Sequence, residues 1–124
     1  MQLKTGVDLV EIKRITQLKA EIRQRFIERV FTPEEIAELG DTDQRLSAGF
    51  AAKEAVSKAL GCGIGPVGWQ EIVVHHLPSG EPTLLLYGNA ARLASEAGLT
   101  HWSISLSHSK TVAIAMVVAM GDPG

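Results

Sequence analysis

The chain has 124 residues, which suits one domain and is too short for two ordinary hydrophobic cores. Apolar residues make up 45% of the chain and charged residues 21%, a composition that excludes a disordered protein. A net charge of −2 and an aromatic content of 5% exclude a nucleic-acid-binding surface of the broadly basic or base-stacking kind.

The first half of the chain predicts one strand followed by helices. Residues 3–10 place their apolar side chains as a strand does, and a helix follows from about Glu11 with apolar residues at helical spacing. The segment Thr32-Pro33-Glu34-Glu35 predicts a helix start, with threonine at the N-cap, proline at N1 and glutamate at N3. Residues 44–60 predict a long helix, because they are rich in Ala, Lys, Glu and Leu and end at a glycine.

The second half predicts strands with one helix between them. The strands are predicted at 71–77, 83–87, 102–107 and 111–119. Short turns join the first two and the last two strands. An amphipathic helix is predicted at 89–97, with Asn89 as its N-cap. This order of elements predicts the α+β class.

Domain limits and cellular compartment are predicted from features along the chain. We expect a single domain over residues 1–120 and a flexible tail over 121–124. Cys62 is the only cysteine, which excludes an intrachain disulfide and favours a reducing compartment. The first residues lack the apolar core of a signal peptide, and the longest uncharged apolar run, 111–121, is shorter than the ~20 residues that span a bilayer. We therefore expect a cytoplasmic protein without a membrane segment.

Half of the basic side chains lie in one short stretch. Of the 12 Lys and Arg residues, six fall there: Lys13, Arg14, Lys19, Arg23, Arg25 and Arg29. The next stretch, 34–43, is acidic and contains no base. A basic helical face on a near-neutral chain favours an acidic macromolecular partner. A solvated helix surface with interleaved acids explains the same pattern, and charge alone leaves both interpretations open.

Two carboxylates stand at positions where chemistry is possible. Asp8 follows Gly6 in an otherwise apolar strand, where a carboxylate is costly to bury unless it is paired or binds a metal. Capping of the next helix is the structural alternative. Phe50, Glu54 and Lys58 lie along one helical face. Glu54 and Lys58 predict either a weak surface salt bridge or a phosphate site, in which Glu54 acts through a metal and Lys58 directly.

A third segment, near the end of the chain, combines serine with histidine. Ser105 and Ser107 share one face of a predicted strand, and His108 opens the following turn. The Gly-x-Ser-x-Gly pattern of a hydrolase nucleophile is absent, so a phosphate-binding rim is the better interpretation. His75 and His76 are adjacent in another predicted strand and point to opposite faces, which excludes them as joint ligands of one metal.

In this order, the three segments resemble the AcpS-type 4′-phosphopantetheinyl transferases over essentially the whole chain. That family carries Gly-x-Asp near its start, Phe/Trp-Ala-x-Lys-Glu-x-x-x-Lys-Ala in its middle and a Ser-x-Ser-His-type segment near its end. The matching segments are Gly6-Val7-Asp8, Phe50-Ala51-Ala52-Lys53-Glu54 through Lys58-Ala59, and Ser105-Leu106-Ser107-His108. The resemblance implies an antiparallel sheet packed against a long helix and shorter helices. It also implies transfer of 4′-phosphopantetheine from coenzyme A to a serine of acyl carrier protein, for fatty acid biosynthesis.

The resemblance implies roles for individual residues. Asp8 and Glu54 match the Mg2+ ligands, with the coenzyme A pyrophosphate and waters completing the coordination shell. Lys58 matches the lysine that meets the phosphate and assists departure of 3′,5′-ADP. His108, with Ser107 beside it, matches a pyrophosphate contact. The proton of the carrier serine goes either to Glu54 or to a metal-bound hydroxide, and both remain open.

One position departs from the family pattern. Relatives often carry arginine directly before the motif aromatic, where this chain has Gly49. Arg45 lies one helical turn earlier, and we expect its guanidinium to replace the missing contact with a coenzyme A phosphate. Within the basic stretch, we expect Arg14 and Arg25 to dock an acidic helix of the acyl carrier protein.

Two other functions share part of this pattern. A non-catalytic module that binds carrier protein would keep the fold and the basic face but lose the carboxylate pair, whereas Asp8 and Glu54 are both present. A metal-dependent pyrophosphate hydrolase would use the same carboxylate, Mg2+ and phosphate chemistry. The fate of the carrier protein and of coenzyme A distinguishes the three.

Assembly is predicted from the length of the chain. It carries one copy of the motif set, whereas longer members of the superfamily have two similar halves that form a site between them. The resemblance therefore implies a homotrimer with sites between subunits, and it leaves open which chain supplies His108. The apolar run 111–120 predicts a strand buried on both faces, which a second subunit covers more readily than the chain's own helices. A monomer whose helices bury that strand is the alternative.

Overall fold

The computed structural model describes residues 1–122, which form five strands and five α-helices. The strands are β1 (Gln2–Glu11), β2 (Ile72–His76), β3 (Pro82–Leu86), β4 (His101–His108) and β5 (Val112–Gly121). The helices are α1 (Lys13–Thr16), α2 (Ala20–Val30), α3 (Pro33–Leu39), α4 (Asp43–Ala59) and α5 (Gly88–Glu96). Within these residues, no helix is long and apolar enough to cross a membrane.

A three-stranded antiparallel sheet forms the centre of the fold. β5 lies in the middle, with β1 on one side and β4 on the other. In the register, Asp8 lies opposite Ala115, and Ala115 lies opposite Leu106. β2 and β3 form a separate two-stranded antiparallel sheet. This arrangement confirms the α+β class and the antiparallel sheet expected from the sequence.

α4 packs on one face of the sheet through small side chains. Ala51 and Ala55 are fully buried and share the main core with residues of β1 and β5. Because these side chains are small, the backbone of α4 comes very close to β1. A Cβ at Gly6 would overlap the carbonyl oxygen of Ala55, so only glycine fits at that point of the strand.

α3 is fixed by its own cap and by bonds to the edge of β2. Glu35 N donates to Thr32 Oγ1, and Thr32 N donates to Glu35 Oε1, which is the predicted capping box. The Glu35 carboxylate also accepts from Val74 N at 2.9 Å, and Glu38 accepts from His76 N at 3.0 Å. These bonds satisfy donors on an edge strand that would otherwise be open to another chain.

The structure corrects two predictions in helical segments. β1 continues through Glu11, so only the single turn α1 follows it, and the next helix begins at Ala20. Asn89 is not the N-cap of α5, which already begins at Gly88. The reason is that a distant carboxylate takes the capping role: Glu71 Oε2 accepts from Asn89 N at 2.6 Å.

The C-terminal boundary also differs from the prediction. β5 continues through Gly121, which pairs with Gln2 on β1. Gly121 is buried, and a Cβ there would overlap the carbonyl oxygen of Gly98. The first residue assigned to the flexible tail therefore belongs to the sheet, while residues 123–124 lie outside the described residues.

The chain alone buries only one face of β5, which contradicts the alternative of a monomer whose own helices bury the whole strand. Because strand residues alternate, one face is covered by the helices and the other is not. The covered face consists of Ala113, Ala115, Val117 and Ala119. The uncovered face carries Ile114, Met116 and Met120, which are 38%, 50% and 39% exposed. Exposed apolar partners on β1 extend it, and the open sheet face is therefore Leu3, Val7, Leu9, Ile114, Met116 and Met120.

Candidate active site

Asp8, Glu54 and Lys58 meet where β1 crosses the C-terminal half of α4. Lys58 Nζ lies 3.2 Å from Asp8 Oδ1 and donates to the Val7 carbonyl oxygen at 2.9 Å. The Asp8 side chain is 18% exposed and the Lys58 side chain 52%. Glu54 lies one turn before Lys58 on the same helical face and is half-buried beside Asp8. The close packing at Gly6 thus brings a strand carboxylate against a helix that carries a second carboxylate and an ammonium group.

The surroundings of Glu54 disfavour its charged form. Burial raises the pKa of Glu54 above its usual value of 4.5, and the neighbouring Asp8 carboxylate raises it further. Lys58 and Arg14 oppose this shift. Two neighbouring carboxylates that repel each other supply oxygen ligands for a divalent cation, and a bound cation would remove the repulsion. Within residues 1–122, the two are not joined by a third histidine, cysteine or carboxylate in a metal-binding cluster.

Arg45 and His108 lie in a second region, near the N-terminal end of α4. They line a cavity of about 530 Å³ together with Leu39 and His76. A neighbouring opening of about 440 Å³ shares Arg45 and His108 and adds Lys110. Arg45 Nη1 donates to the Leu39 carbonyl oxygen at 3.0 Å. Glu38 also lines the larger cavity, so the part suited to an anionic group is the opening shared by Arg45 and Lys110 at the positive end of the α4 dipole.

The two regions lie on opposite flanks of α4. At 1.5 Å per residue, Arg45 and Glu54 are about 13 Å apart along the helix axis. In the sheet, Val10 and His108 both pair with Ala113, which is buried against α4. Packed core therefore separates the carboxylates from the cavity, so one phosphate group does not contact both within a single chain.

Ser107 and Gly49, which the sequence analysis singled out, do not line the Arg45–His108 cavity. Ser107 is exposed and pairs with Ile114 of the open sheet face, so it points away from the side on which His108 lies. Gly49 is buried, and a Cβ there would come within 2.8 Å of Phe31 Cε1. Since a guanidinium at this position would displace the Phe31 ring, Gly49 does not mark a vacant phosphate contact in this chain.

Some side chains of the basic stretch are exposed, whereas Arg23 pairs with an acidic residue of the same chain. The sequence alone did not separate the two groups. Arg14 and Arg25 are exposed. Arg23 instead donates through Nη2 to Asp43 Oδ1 at 2.9 Å and connects α2 to the start of α4.

Arg14 borders an apolar cavity of about 140 Å³ whose other lining residues are Val10, Ile15, Leu18, Phe26 and Phe50.

Lys53, the motif lysine beside Glu54, is fully buried, and the sequence analysis missed its role. Its Nζ lies 2.7 Å from Glu35 Oε1, 2.7 Å from the Val30 carbonyl oxygen and 3.1 Å from the Trp69 carbonyl oxygen. Burial lowers the pKa of Lys53, and the charge of Glu35 opposes that shift. The available signal was the run of alanines around Lys53, which predicts that this part of the helix is buried.

His75 and His76 line different cavities, in agreement with their predicted opposite orientation. Glu38 contacts both residues: its Oε2 lies 2.7 Å from His75 Nδ1, and its Oε1 accepts from His76 N. The bond from His76 N–H holds the pKa of Glu38 below its usual value, with a further contribution from His75. Only His76 lies at the Arg45–His108 cavity.

The sequence model of the 4′-phosphopantetheinyl transferase superfamily matches residues 4–117, and the chain belongs to this superfamily. Among its relatives are two named holo-[acyl-carrier-protein] synthases. That of Herpetosiphon aurantiacus is 48% identical over 126 residues, covering 96% of this chain and 99% of the relative. That of Dehalococcoides mccartyi strain CBDB1 is 45% identical over 117 residues, covering 94% and 98%.

Solved structures of holo-[acyl-carrier-protein] synthases have the same fold. The Helicobacter pylori protein, in complex with coenzyme A, is similar with a TM-score of 0.84 and 32% identity, covering 94% of this chain and 99% of that chain. The Neisseria meningitidis protein has a TM-score of 0.84 and 36% identity, covering 94% and 97%. These matches confirm the family and the fold that the three sequence segments predict.

Proposed function

We propose that the chain transfers the 4′-phosphopantetheine group of coenzyme A to a serine of acyl carrier protein. The observation that carries the proposal is the meeting of Asp8, Glu54 and Lys58 between β1 and α4. The similar holo-[acyl-carrier-protein] synthases, one of them solved with coenzyme A, support the same substrates. In the reaction, the serine oxygen bonds to the β-phosphorus of coenzyme A and gives its proton to a base, a role for which Glu54 is the candidate in this chain. The bond to 3′,5′-ADP breaks, and its electron pair leaves with that product.

We also propose that Asp8 and Glu54 hold a Mg2+ ion. The donors fit, because Mg2+ accepts one or two carboxylates and takes its remaining ligands from water and substrate phosphate. Bound Mg2+ would neutralise negative charge on the pyrophosphate as the bond breaks. Lys58 lies beside Asp8 and is half exposed, so its ammonium group can bind the phosphate and balance the charge on departing 3′,5′-ADP.

Retention of the carboxylate pair favours catalysis over a binding role alone. A non-catalytic carrier-binding module has no need for Asp8 and Glu54 at one point, where their mutual repulsion is unfavourable. Incubation of apo acyl carrier protein with coenzyme A and Mg2+ tests the proposal, because only a transferase raises the mass of the carrier.

We place this reaction in the cytoplasm, where the free Cys62 thiol would stay reduced.

We propose that the nucleotide end of coenzyme A binds at the Arg45–His108 cavity. Arg45 and Lys110 line its opening, which borders the start of a 17-residue helix whose dipole favours phosphate. Because packed core separates this cavity from Asp8 within one chain, the carboxylates and the cavity of one complete site come from neighbouring copies. This assigns His108 to the chain that does not supply Glu54.

Arg45→Ala is expected to raise the KM for coenzyme A about tenfold or more, because a charge-assisted bond to the 3′-phosphate is lost. The KM for 3′-dephospho-coenzyme A should stay nearly constant, since that analogue lacks the group that Arg45 is proposed to bind. Steady-state kinetics with the two substrates provide the measurement. An equal rise for both substrates, or no rise for either, would remove Arg45 from the 3′-phosphate.

We propose that three copies of the chain assemble through the open sheet face. The six apolar side chains of this face lie on β1 and β5, and the chain's own helices cover only the opposite side of the sheet. A contiguous exposed apolar surface of this kind is characteristic of a subunit interface. Ser107 borders the same face, so its hydroxyl can reach a site on a neighbouring subunit.

We propose that the carrier protein docks on α1 and α2. Arg14 and Arg25 are exposed there, and Arg14 lies close enough to Glu54 for its positive charge to oppose the rise in the pKa of Glu54. The apolar cavity beside Arg14 can receive an apolar side chain of the carrier next to its serine. An acidic partner with an apolar contact residue would thus be directed to the carboxylate pair.

Arg25→Glu is expected to raise the KM for acyl carrier protein about tenfold and to leave the KM for coenzyme A unchanged. Arg92→Glu is the matched control: it makes the same charge reversal at an exposed arginine of α5, where the only partner in the described chain is Glu96. The wild-type KM for the carrier should also rise with salt. A carrier KM that responds to neither Arg25→Glu nor salt would contradict docking on α2.

A further inference from the structure

α4 carries the reacting groups but has few bulky side chains to fix its position. Its buried positions include five alanines: Ala48, Ala51, Ala52, Ala55 and Ala59. Apart from Leu46 and Val56, which are also fully buried, the buried side chains of the helix are mostly short and offer few shape-specific contacts that fix its rotation. In the part of the chain that the structure describes, the largest fully buried side chain is Lys53. A charged residue therefore occupies the place where a large apolar anchor would be expected.

Lys53 makes directional contacts with three other segments. Its ammonium group donates to the Val30 carbonyl oxygen at the end of α2, to Glu35 Oε1 on α3 and to the Trp69 carbonyl oxygen before β2. Three donors meet three acceptors, so the buried charge is fully hydrogen-bonded. Glu35 extends the connection to β2 by accepting from Val74 N at 2.9 Å. A single ion pair thus links α2, α3, α4 and β2.

The linked segments carry the other parts of the proposed site. α2 carries Arg25 on the carrier-docking surface, while α3 and β2 contribute Leu39 and His76 to the nucleotide cavity. Glu54 follows Lys53 directly in α4. Because successive helix residues are rotated by a fixed angle, holding Lys53 on one side of α4 sets the direction in which Glu54 points.

Stability alone does not account for this pair. An apolar pair of similar volume usually stabilises a core as well as a buried ion pair, because the ions must first lose their water. A methionine at position 53 would also fill the space, but it has no directional bonds that fix the rotation of the helix. The ion pair adds orientation, and the nearest groups that need orientation are Glu54 and Lys58.

We infer that the Lys53–Glu35 pair is a positioning device, which sets the rotation of α4 and thereby the placement of Glu54 and Lys58 relative to Asp8. This inference rests on the proposed transferase function. A purely structural role predicts that turnover per folded molecule is unchanged when the pair is removed. A positioning role predicts that turnover falls even when the fold is intact.

The test compares Lys53→Met with the stability control Leu99→Ala. Leu99 is buried in a separate cluster with Ala94 and Ala119, and its truncation also lowers stability. Both variants are assayed well below their melting temperatures, with the folded fraction measured by circular dichroism. We expect kcat per folded Lys53→Met molecule to fall about tenfold to a hundredfold, with a higher Mg2+ concentration at half-maximal rate. Leu99→Ala should stay within about twofold of wild type, since it touches no reacting group.

A second variant, Lys53→Met with Glu35→Gln, removes both charges and serves if the single replacement does not fold. It should melt at a higher temperature than Lys53→Met and keep the low kcat. Calorimetric titration with coenzyme A gives a readout that does not depend on turnover. A wild-type chain that binds no coenzyme A would overturn the proposed function and this inference together. If either Lys53 variant binds coenzyme A and turns over as wild type does, the positioning role alone is overturned.

Discussion

Glu54→Gln and Asp8→Asn are each expected to lower the rate of phosphopantetheine transfer by about a thousandfold, because each removes a carboxylate proposed to hold Mg2+. Both replacements keep the shape of the side chain, so the loss reports on charge and on metal-donor capacity. The measurement is the initial rate of carrier modification over a range of Mg2+ concentrations. Glu96→Gln makes the same change on the exposed surface of α5 and should leave the rate unchanged.

The same Glu54→Gln replacement should stabilise the fold at neutral pH in the absence of divalent metal. Burial and Asp8 raise the pKa of Glu54, so the folded state holds this proton more tightly than the unfolded state does. The destabilising effect of the charge is absent below the usual pKa of 4.5 and is complete once the pH exceeds the raised pKa. The variant should therefore melt above wild type at neutral pH, and the difference should shrink as the pH falls toward 4.5.

Rate and stability give independent checks on the carboxylate pair. Near-wild-type turnover of Glu54→Gln would remove Glu54 from the proposed metal site. A Glu54→Gln chain that melts below wild type at neutral pH would show that burial of the Glu54 charge and its repulsion by Asp8 are not the dominant interactions of this side chain.

Met116→Asp is expected to prevent assembly of the proposed trimer and to reduce transfer to a few per cent or less, because it would place a charge at the centre of the proposed apolar interface. Met116 is 50% exposed in the single chain, so the fold of each subunit should persist. Analytical ultracentrifugation and circular dichroism measure assembly and folding separately. Leu85→Asp is the matched control, since Leu85 is 46% exposed and lies on β3, outside the open sheet face.

Mixing two impaired variants tests whether each site uses two chains. One variant is Glu54→Ala, and the other combines Arg45→Ala with His108→Ala. If neighbouring chains of a cyclic trimer form each site, random assembly restores one intact site in about four, hence about a quarter of the wild-type activity. Monomers at assay concentration, together with no recovered activity after mixing, would contradict the shared site.

The sequence was sufficient to predict features that depend on local patterns. The capping box at Thr32 and Glu35 formed as predicted, because its four residues supply every bond that it needs. The long helix α4 was located within one residue at each end, since its composition favours helix throughout. Gly6 and Asp8 were recognised as a unit, and the structure adds the physical reason: the glycine allows the helix to approach, and the carboxylate two residues later faces that helix.

Features that depend on distant contacts were not predictable in the same way. The role of Lys53 depends on Val30, Glu35 and Trp69, none of which is near it in sequence. The apolar run of β5 indicated burial on both faces, but it could not show which of the two faces the chain's own helices leave exposed. Gly49 fitted the pattern of a lost arginine, whereas its surroundings depend on the packing of Phe31 across an interhelical contact.

Intact-protein mass spectrometry of the carrier tests the central claim most directly. Apo acyl carrier protein is incubated with coenzyme A, Mg2+ and the wild-type chain, and 3′,5′-ADP is measured in the same reaction. The proposed function predicts that the carrier gains the mass of one phosphopantetheine group, that an equal amount of 3′,5′-ADP appears, and that Glu54→Gln abolishes both changes. A carrier of unchanged mass in the presence of folded, assembled wild-type protein would contradict the account, whether coenzyme A stays intact or is broken down without transfer.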